Sequence, residues 1–138
     1  MPPSAAALAH VRVLVVDDHA GNRASLVELV DATLGFRSLG AAASGEEALR
    51  RLDDDAADLL LMDVCMPGKG GITVAREVAA RQYGPQVILV SGEDRPDIVA
   101  DPPAHGADAF VRKDTLTPQL LWRTWARLRE TVALSTTG

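Results

Sequence analysis

The chain has 138 residues, 47% of them apolar, 24% charged and 4% aromatic, with 14 basic residues against 19 acidic and a net charge of −5. That length and apolar fraction exclude a disordered chain and predict one domain with a single sizeable core, while the acidic balance disfavours nucleic acid as a partner. A lone cysteine, Cys65, excludes an internal disulfide and a cysteine-based zinc site; no apolar run nears the ~20 residues of a membrane span, and Met1 to Ala9 lacks a basic leader, so a soluble cytoplasmic domain is expected.

In chain order, residues 1–9 read as a loose end ahead of a domain over 10–134. Val11 to Val16 is the first strand-sized apolar run. A helix follows over 22–34, with Leu26, Leu29, Val30 and Leu34 on one stripe. The second run is Ser38 to Ala43, after which Ser44-Gly-Glu-Glu47 matches a capping box ahead of Ala48, Leu49 and Leu52. Leu59 to Met62 is the third run, and residues 71–82 form a helix with Ile72, Ala75 and Ala79 inward, ended by Gly84-Pro85. Val87 to Val90 is the fourth run. The crossover from Arg95 to Gly106 holds Pro96, Pro102 and Pro103. Pro96 suits a first helical turn, but Pro102 removes a donor and pushes Asp101 out of the α region, so a short or split fourth helix is expected. Ala109 to Val111 is the fifth run. The last helix, over 117–134, places Leu121, Trp125, Leu128 and Val132 on the core side, with Pro118 in its first turn and 135–138 as a loose end.

Runs that are continuously apolar, rather than alternating, indicate strands buried on both faces, as in a parallel sheet. Strand and helix alternate five times along the chain. That pattern predicts an α/β fold, a doubly wound sheet with helices on both sides. In such sheets ligands bind beyond the carboxyl ends of the strands.

The residues at those ends are Asp17 and Asp18 after the first run, Asp63 after the third, Ser91 after the fourth and Lys113 past the fifth. Taken singly they are a solvated turn, a cap, a strand exit and a surface lysine. Together they converge on one edge. Like charges ~4 Å apart cost ~1 to 4 kcal/mol in wet surroundings, so either the carboxyl pKa values rise or a hard cation sits among them. Oxygen ligands with open positions favour Mg2+, a common companion of phosphoryl groups.

The stretches Val-Leu-Val-Val-Asp17-Asp18-His, Leu-Leu-Leu-Met-Asp63-Val-Cys-Met-Pro67-Gly, Val-Ile-Leu-Val-Ser91-Gly and Gly106-Ala-Asp-Ala-Phe110-Val-Arg-Lys113 carry a resemblance. Over residues 10–134 the sequence resembles the receiver domain of two-component response regulators. The resemblance implies a flavodoxin-like five-stranded parallel sheet in the order 2-1-3-4-5. It implies that Asp63 is the phosphoacceptor, and that Asp18, Asp63 and the backbone carbonyl of Cys65 ligate Mg2+, with Asp17 acting mainly through a bound water. Ser91 would hydrogen-bond the phosphoryl group, Lys113 would pair with it, and Phe110 would be the switch aromatic that follows Ser91. Cys65 and Glu93 would flank the path of the water that removes the phosphoryl group. The implied donor is a histidine kinase or phosphotransfer protein, and the implied output or dimer face is the fourth helix, fifth strand and fifth helix. Asp17-Asp18-His19 and Lys113-Asp114 look most like receivers of LuxR-type output regulators. The proline-broken fourth crossover departs from that group, and a chain ending after the fifth helix fits a stand-alone receiver or a piece of a longer regulator.

Other classes stay open beside this one. An aspartyl-nucleophile phosphatase or phosphotransferase would carry Asp-x-Asp after the first strand, where the acids here are adjacent. A flavodoxin-like cofactor binder would need amide and hydroxyl donors where Asp17-Asp18-His19-Ala-Gly stands. A pseudo-receiver would serve only for binding. Cys65 reads as a small packing residue, and His10, His19 and His105 are too scattered for a metal cluster. Trp122 with Arg123, Arg127 and Arg129 gives the fifth helix a basic, aromatic side suited to an acidic protein or a second receiver, and no direct DNA binding by this chain is expected.

Overall fold

Side chains alternate across a strand, so an unbroken apolar run forms a regular strand only where both faces are covered. The computed structural model describes residues 10–82 and 84–137, with side chains through Glu130. It places β1 at Val11–Val16, β2 at Phe36–Ala42, β3 at Leu59–Asp63, β4 at Gln86–Ser91 and β5 at Ala109–Arg112. All neighbouring strands pair in parallel, in the order β2-β1-β3-β4-β5. The helices are α1 at Ala20–Asp31, α2 at Gly45–Asp54, α3 at Gly71–Ala79, α4 at Pro96–Ala100 and α5 at Pro118–Thr137.

Two apolar layers sandwich the sheet. Leu14, Val16, Leu60, Met62 and Leu89 pack with Ala48 of α2, Val74, Ala75 and Val78 of α3, and Ile98 of α4. Val13, Val15, Leu59, Leu61, Ile88 and Val90 pack with Leu26 and Val30 of α1 and Leu121 of α5. The doubly wound architecture and strand order therefore stand as expected.

The capping box forms: the Ser44 hydroxyl accepts from the Glu47 N–H at 3.1 Å, and the Glu47 carboxylate accepts from the Ala43 N–H at 2.8 Å. The fourth crossover is split as the prolines require. α4 has 5 residues, and a 3-10 turn over Pro102–His105 follows, capped by Asp101.

Three expectations need correction. Leu34 is 92% exposed, because α1 stops at Asp31 and Gly35 turns the chain through φ 84°, which lets Phe36 enter the core in its place. Ala79 is exposed: Ala75 is buried and Ile72 packs at the core's edge as expected, but α3 turns Val74 and Val78 inward in place of Ala79. The last helix continues to Thr137, past the expected end at 134. The loose end at 1–9 and the core placement of Val132 lie outside the described residues and side chains.

Candidate functional site

The carboxyl ends of β1, β3, β4 and β5 converge, and each delivers one part of a polar cluster. Asp17 leaves β1 fully buried, its N–H donating to the Ala42 carbonyl at 3.1 Å, a bond that continues the sheet by one residue. One carboxylate oxygen accepts from the His19 N–H at 2.9 Å and the other from Lys113 Nζ at 2.6 Å. Arg23 of α1 donates to the Asp17 carbonyl at 2.9 Å. Asp18, the next residue, is exposed.

Asp63 ends β3 at 7% exposure. Its Oδ1 accepts a long bond from the Cys65 N–H at 3.4 Å, and its Oδ2 lies 3.5 Å from Lys113 Nζ. Ser91 ends β4, buried, with its hydroxyl oxygen accepting from the Glu93 N–H at 3.1 Å. Phe110 stands half-buried in β5, paired with Leu89 in the sheet and packed on the α3/α4 layer.

Asp17, Asp18 and Asp63 each offer an oxygen, all lying within 4.8 Å of one another. Among the described residues Lys113 is the cation paired with these carboxylates, and it touches Asp17 and Asp63 together. Three carboxylates against one ammonium leave the cluster negative. Burial, first, holds the Asp63 carboxyl above the usual carboxylate range; the Asp17 charge adds to that, while Lys113 and the Cys65 N–H pull it down. An all-oxygen, carboxylate-rich set with an exposed member fits a hard divalent cation that keeps waters, which is the behaviour of magnesium.

The expected site residues are thus brought together, with differences at the rim. Cys65 is exposed rather than packed, because the turn after Asp63 points it outward. Glu93 is exposed beside Ser91. His19 caps α1, its Nδ1 accepting from the Asn22 N–H at 3.2 Å, and among the described residues no histidine joins the acidic cluster.

The basic side foreseen for α5 is divided. Trp122, 55% exposed, and Arg123 line a groove with Leu34, whereas Arg127 lines a separate one with Val99 and Phe110. Arg129 lies over the Trp125 ring, 5.6 Å from its centroid. At 100° per residue, Arg123 and Arg127 stand about 40° apart and are neighbours, whereas Arg129 is about 120° from Arg123 and Arg127 about 140° from Trp122. Sequence reasoning also passed over Arg23 and Arg112. Asp114 beside Arg112 hinted at a local pair, but its second partner, Asp94, comes from another loop.

The sequence profile described as response regulator receiver domain matches residues 13–124. The response regulator UvrY of Escherichia coli strain K12 is 30% identical over 103 residues, 75% of this chain and 47% of UvrY. The probable transcriptional regulatory protein NarL of Mycobacterium tuberculosis is 32% identical over 130 residues, 93% of this chain and 60% of NarL. The solved NarL receiver domain superposes with a TM-score of 0.77 at 30% identity, covering 87% of this chain and 97% of that one. The response regulator TrrA of Thermotoga maritima, solved in complex with Mg2+ and BeF, gives a TM-score of 0.71 at 30% identity over 85% of this chain and 97% of that one. The chain spans about half the length of its curated relative UvrY. With the sheet order, the convergent strand ends and a profile match across most of its length, the chain belongs to the receiver domains of two-component response regulators.

Proposed function

We propose that this chain is a phospho-accepting switch: a histidine kinase or phosphotransfer protein transfers a phosphoryl group to Asp63. The observation that carries the reading is a buried carboxylate 3.5 Å from a lysine ammonium, with two further carboxylates alongside. An Asp63 oxygen forms the new bond to phosphorus as the donor's bond to phosphorus breaks, its electron pair leaving with the donor. A carboxylate is a weak nucleophile, so positioning and charge neutralisation supply the catalysis.

Asp18, Asp63 and the Cys65 carbonyl would hold Mg2+, with Asp17 acting through water. Bound there, the ion would supply positive charge to offset the phosphoryl oxygens and the crowded carboxylates. Lys113, already paired with Asp17 and Asp63, would oppose the same charge. Ser91 turns its O–H toward the acyl phosphate because only then does it gain a charge-assisted hydrogen bond. The space it leaves is open to Phe110, which lies across the β4–β5 pair and lines the groove with Val99 and Arg127. Site and surface are then coupled through a two-state element. The surface of α4, β5 and α5 is the face for a second copy or a downstream protein, of the kind served by LuxR-type outputs. Cys65 and Glu93, exposed at the rim, tune the lifetime of the phosphoryl group. The chain is a substrate that assists its own modification rather than an enzyme acting on others, and it works in the cytoplasm. Among the described residues no helix is long and apolar enough to cross a membrane.

Phosphoramidate labelling followed by intact mass tests the reading. The adduct is expected to need magnesium and to vanish in Asp63→Asn. Asp18→Ala is expected to weaken magnesium binding more than Asp17→Ala, whose carboxylate is already held by Lys113 and His19. Labelling that persists in Asp63→Asn, or without magnesium, overturns the assignment. Turnover of a phosphate ester by the unmodified chain would favour the phosphatase class instead.

A further inference from the structure

Arg112 ends β5 directly opposite Ser91 in the sheet register. Its guanidinium reaches in two directions. Nη1 pairs with Asp94 at 2.7 Å, and Nη2 pairs with Asp114 at 2.9 Å while lying 3.4 Å from the Gly92 carbonyl. Gly92 and Asp94 belong to the loop that leaves Ser91, and Asp114 follows Lys113. One side chain therefore ties the loop after the hydroxyl to the turn that carries the lysine. A second fastener holds the same loop, the Glu93 N–H bonded to the Ser91 hydroxyl at 3.1 Å.

We propose that Arg112 is a positioning residue, a latch that holds the loop Gly92–Arg95 in the unphosphorylated arrangement and sets how readily Ser91 can swing to the phosphoryl group. The proposal rests on the function given above, because it concerns the movement of Ser91. Two features make the latch releasable rather than merely structural. Asp94 is 80% exposed and Asp114 60% exposed, so both ion pairs are weak and screened by salt. Arg112 Nε is shielded from solvent without a hydrogen-bond partner among the described residues, which is a standing penalty of the closed arrangement. Release would let that N–H find water. Both features lower the cost of leaving the closed arrangement, as a switch requires.

The latch makes a prediction of sign that simple electrostatics does not. Arg112→Ala removes a positive charge near an anion-accepting site, and Asp94→Asn removes a negative one. Acting through the field, the two would change the labelling rate in opposite directions. Acting through a shared latch, both should speed phosphoramidate labelling of Asp63, by about fivefold at most, the upper range of an exposed pair. The double variant should be no faster than either single one. High salt should bring the wild-type rate toward the variants. Hydrogen exchange on the unphosphorylated protein should show faster exchange in Gly92–Arg95 for both variants with an unchanged thermal midpoint. Arg112→Lys, which keeps the charge but not the fork, should fall between. Opposite signs, additive effects or an unchanged loop each overturn the latch. If wild type itself is never labelled, the phosphoacceptor reading fails, and the exchange data alone then decide whether Arg112 holds the loop.

Discussion

Asp63 carries a charge that its surroundings oppose. Burial raises its carboxyl pKa above the usual range, more than Lys113 restores it. The folded chain consequently binds that proton more tightly than the unfolded chain, whose value is ~3.9. By linkage, this group's contribution to stability grows as pH falls through the folded pKa, and at neutral pH the ionised form is a net cost. With a chelator present, Asp63→Asn is expected to raise the thermal midpoint at pH 7 by about 3 °C, equivalent to ~1 kcal/mol of relieved crowding in a domain this size. The gain should shrink toward pH 4, and magnesium should narrow it by stabilising the wild type. Thermal melts across that range check it; a gain that widens in acid contradicts the assignment of the cost to ionised Asp63. The residue scale is also where the sequence was most legible. Asp17, Asp18, Asp63, Ser91 and Lys113 all follow strands that could be read from apolar runs, so their convergence needed only the parallel topology. The exposure of Cys65 was not legible, because a residue in a turn has no periodicity to show which way it points.

At the scale of elements, α3 begins against the acceptor strand. A Cβ on Gly71 would strike the Asp63 carbonyl oxygen and lie 2.9 Å from the Val64 Cα, so the helix can start there only without a side chain. Gly71→Ala is expected to cost about 1–3 kcal/mol and to slow labelling of Asp63, since backbone must yield at the acceptor. Gly92→Ala is the control: nothing lies within 4 Å of its Cβ, so its denaturation midpoint should stay near wild type. Equal midpoints for the two variants would remove the close approach from the argument. α2 was readable through its Ser44–Glu47 cap, and the split of α4 through Pro102, because both signals are local. The end of α1 was not. Leu34 continues the apolar spacing, but Phe36 is larger and lies at the start of β2, where it meets Trp125 edge-on at 6.4 Å. The core took the aromatic ring and left the leucine outside.

For the whole molecule, the charge arithmetic and the distribution of arginines agree. The net charge is −5, and of the α5 arginines Arg123 and Arg127 are neighbours at i and i+4 while Arg129 lies over Trp125, so two cations at most share one side. Without a contiguous basic stripe, phosphate contacts are too few for tight binding. Residues 1–138 are expected to show no DNA binding at physiological salt, phosphorylated or not, in a fluorescence-anisotropy titration. Salt-resistant, sequence-specific binding would contradict this.

By itself the sequence determined the class of fold and the constellation at the strand ends, because parallel strands buried on both faces leave continuous apolar runs and polar residues just beyond them. It also determined where α4 breaks, since proline acts on its own backbone. Only the tertiary structure decided which apolar residues face inward at the end of α1 and along α3, how the arginines of α5 are shared among faces, and that Arg112 joins two loops. Those outcomes depend on competition for one core and on the meeting of residues such as Asp94 and Arg112, 18 positions apart. A pairing across that distance leaves no periodic trace in the chain.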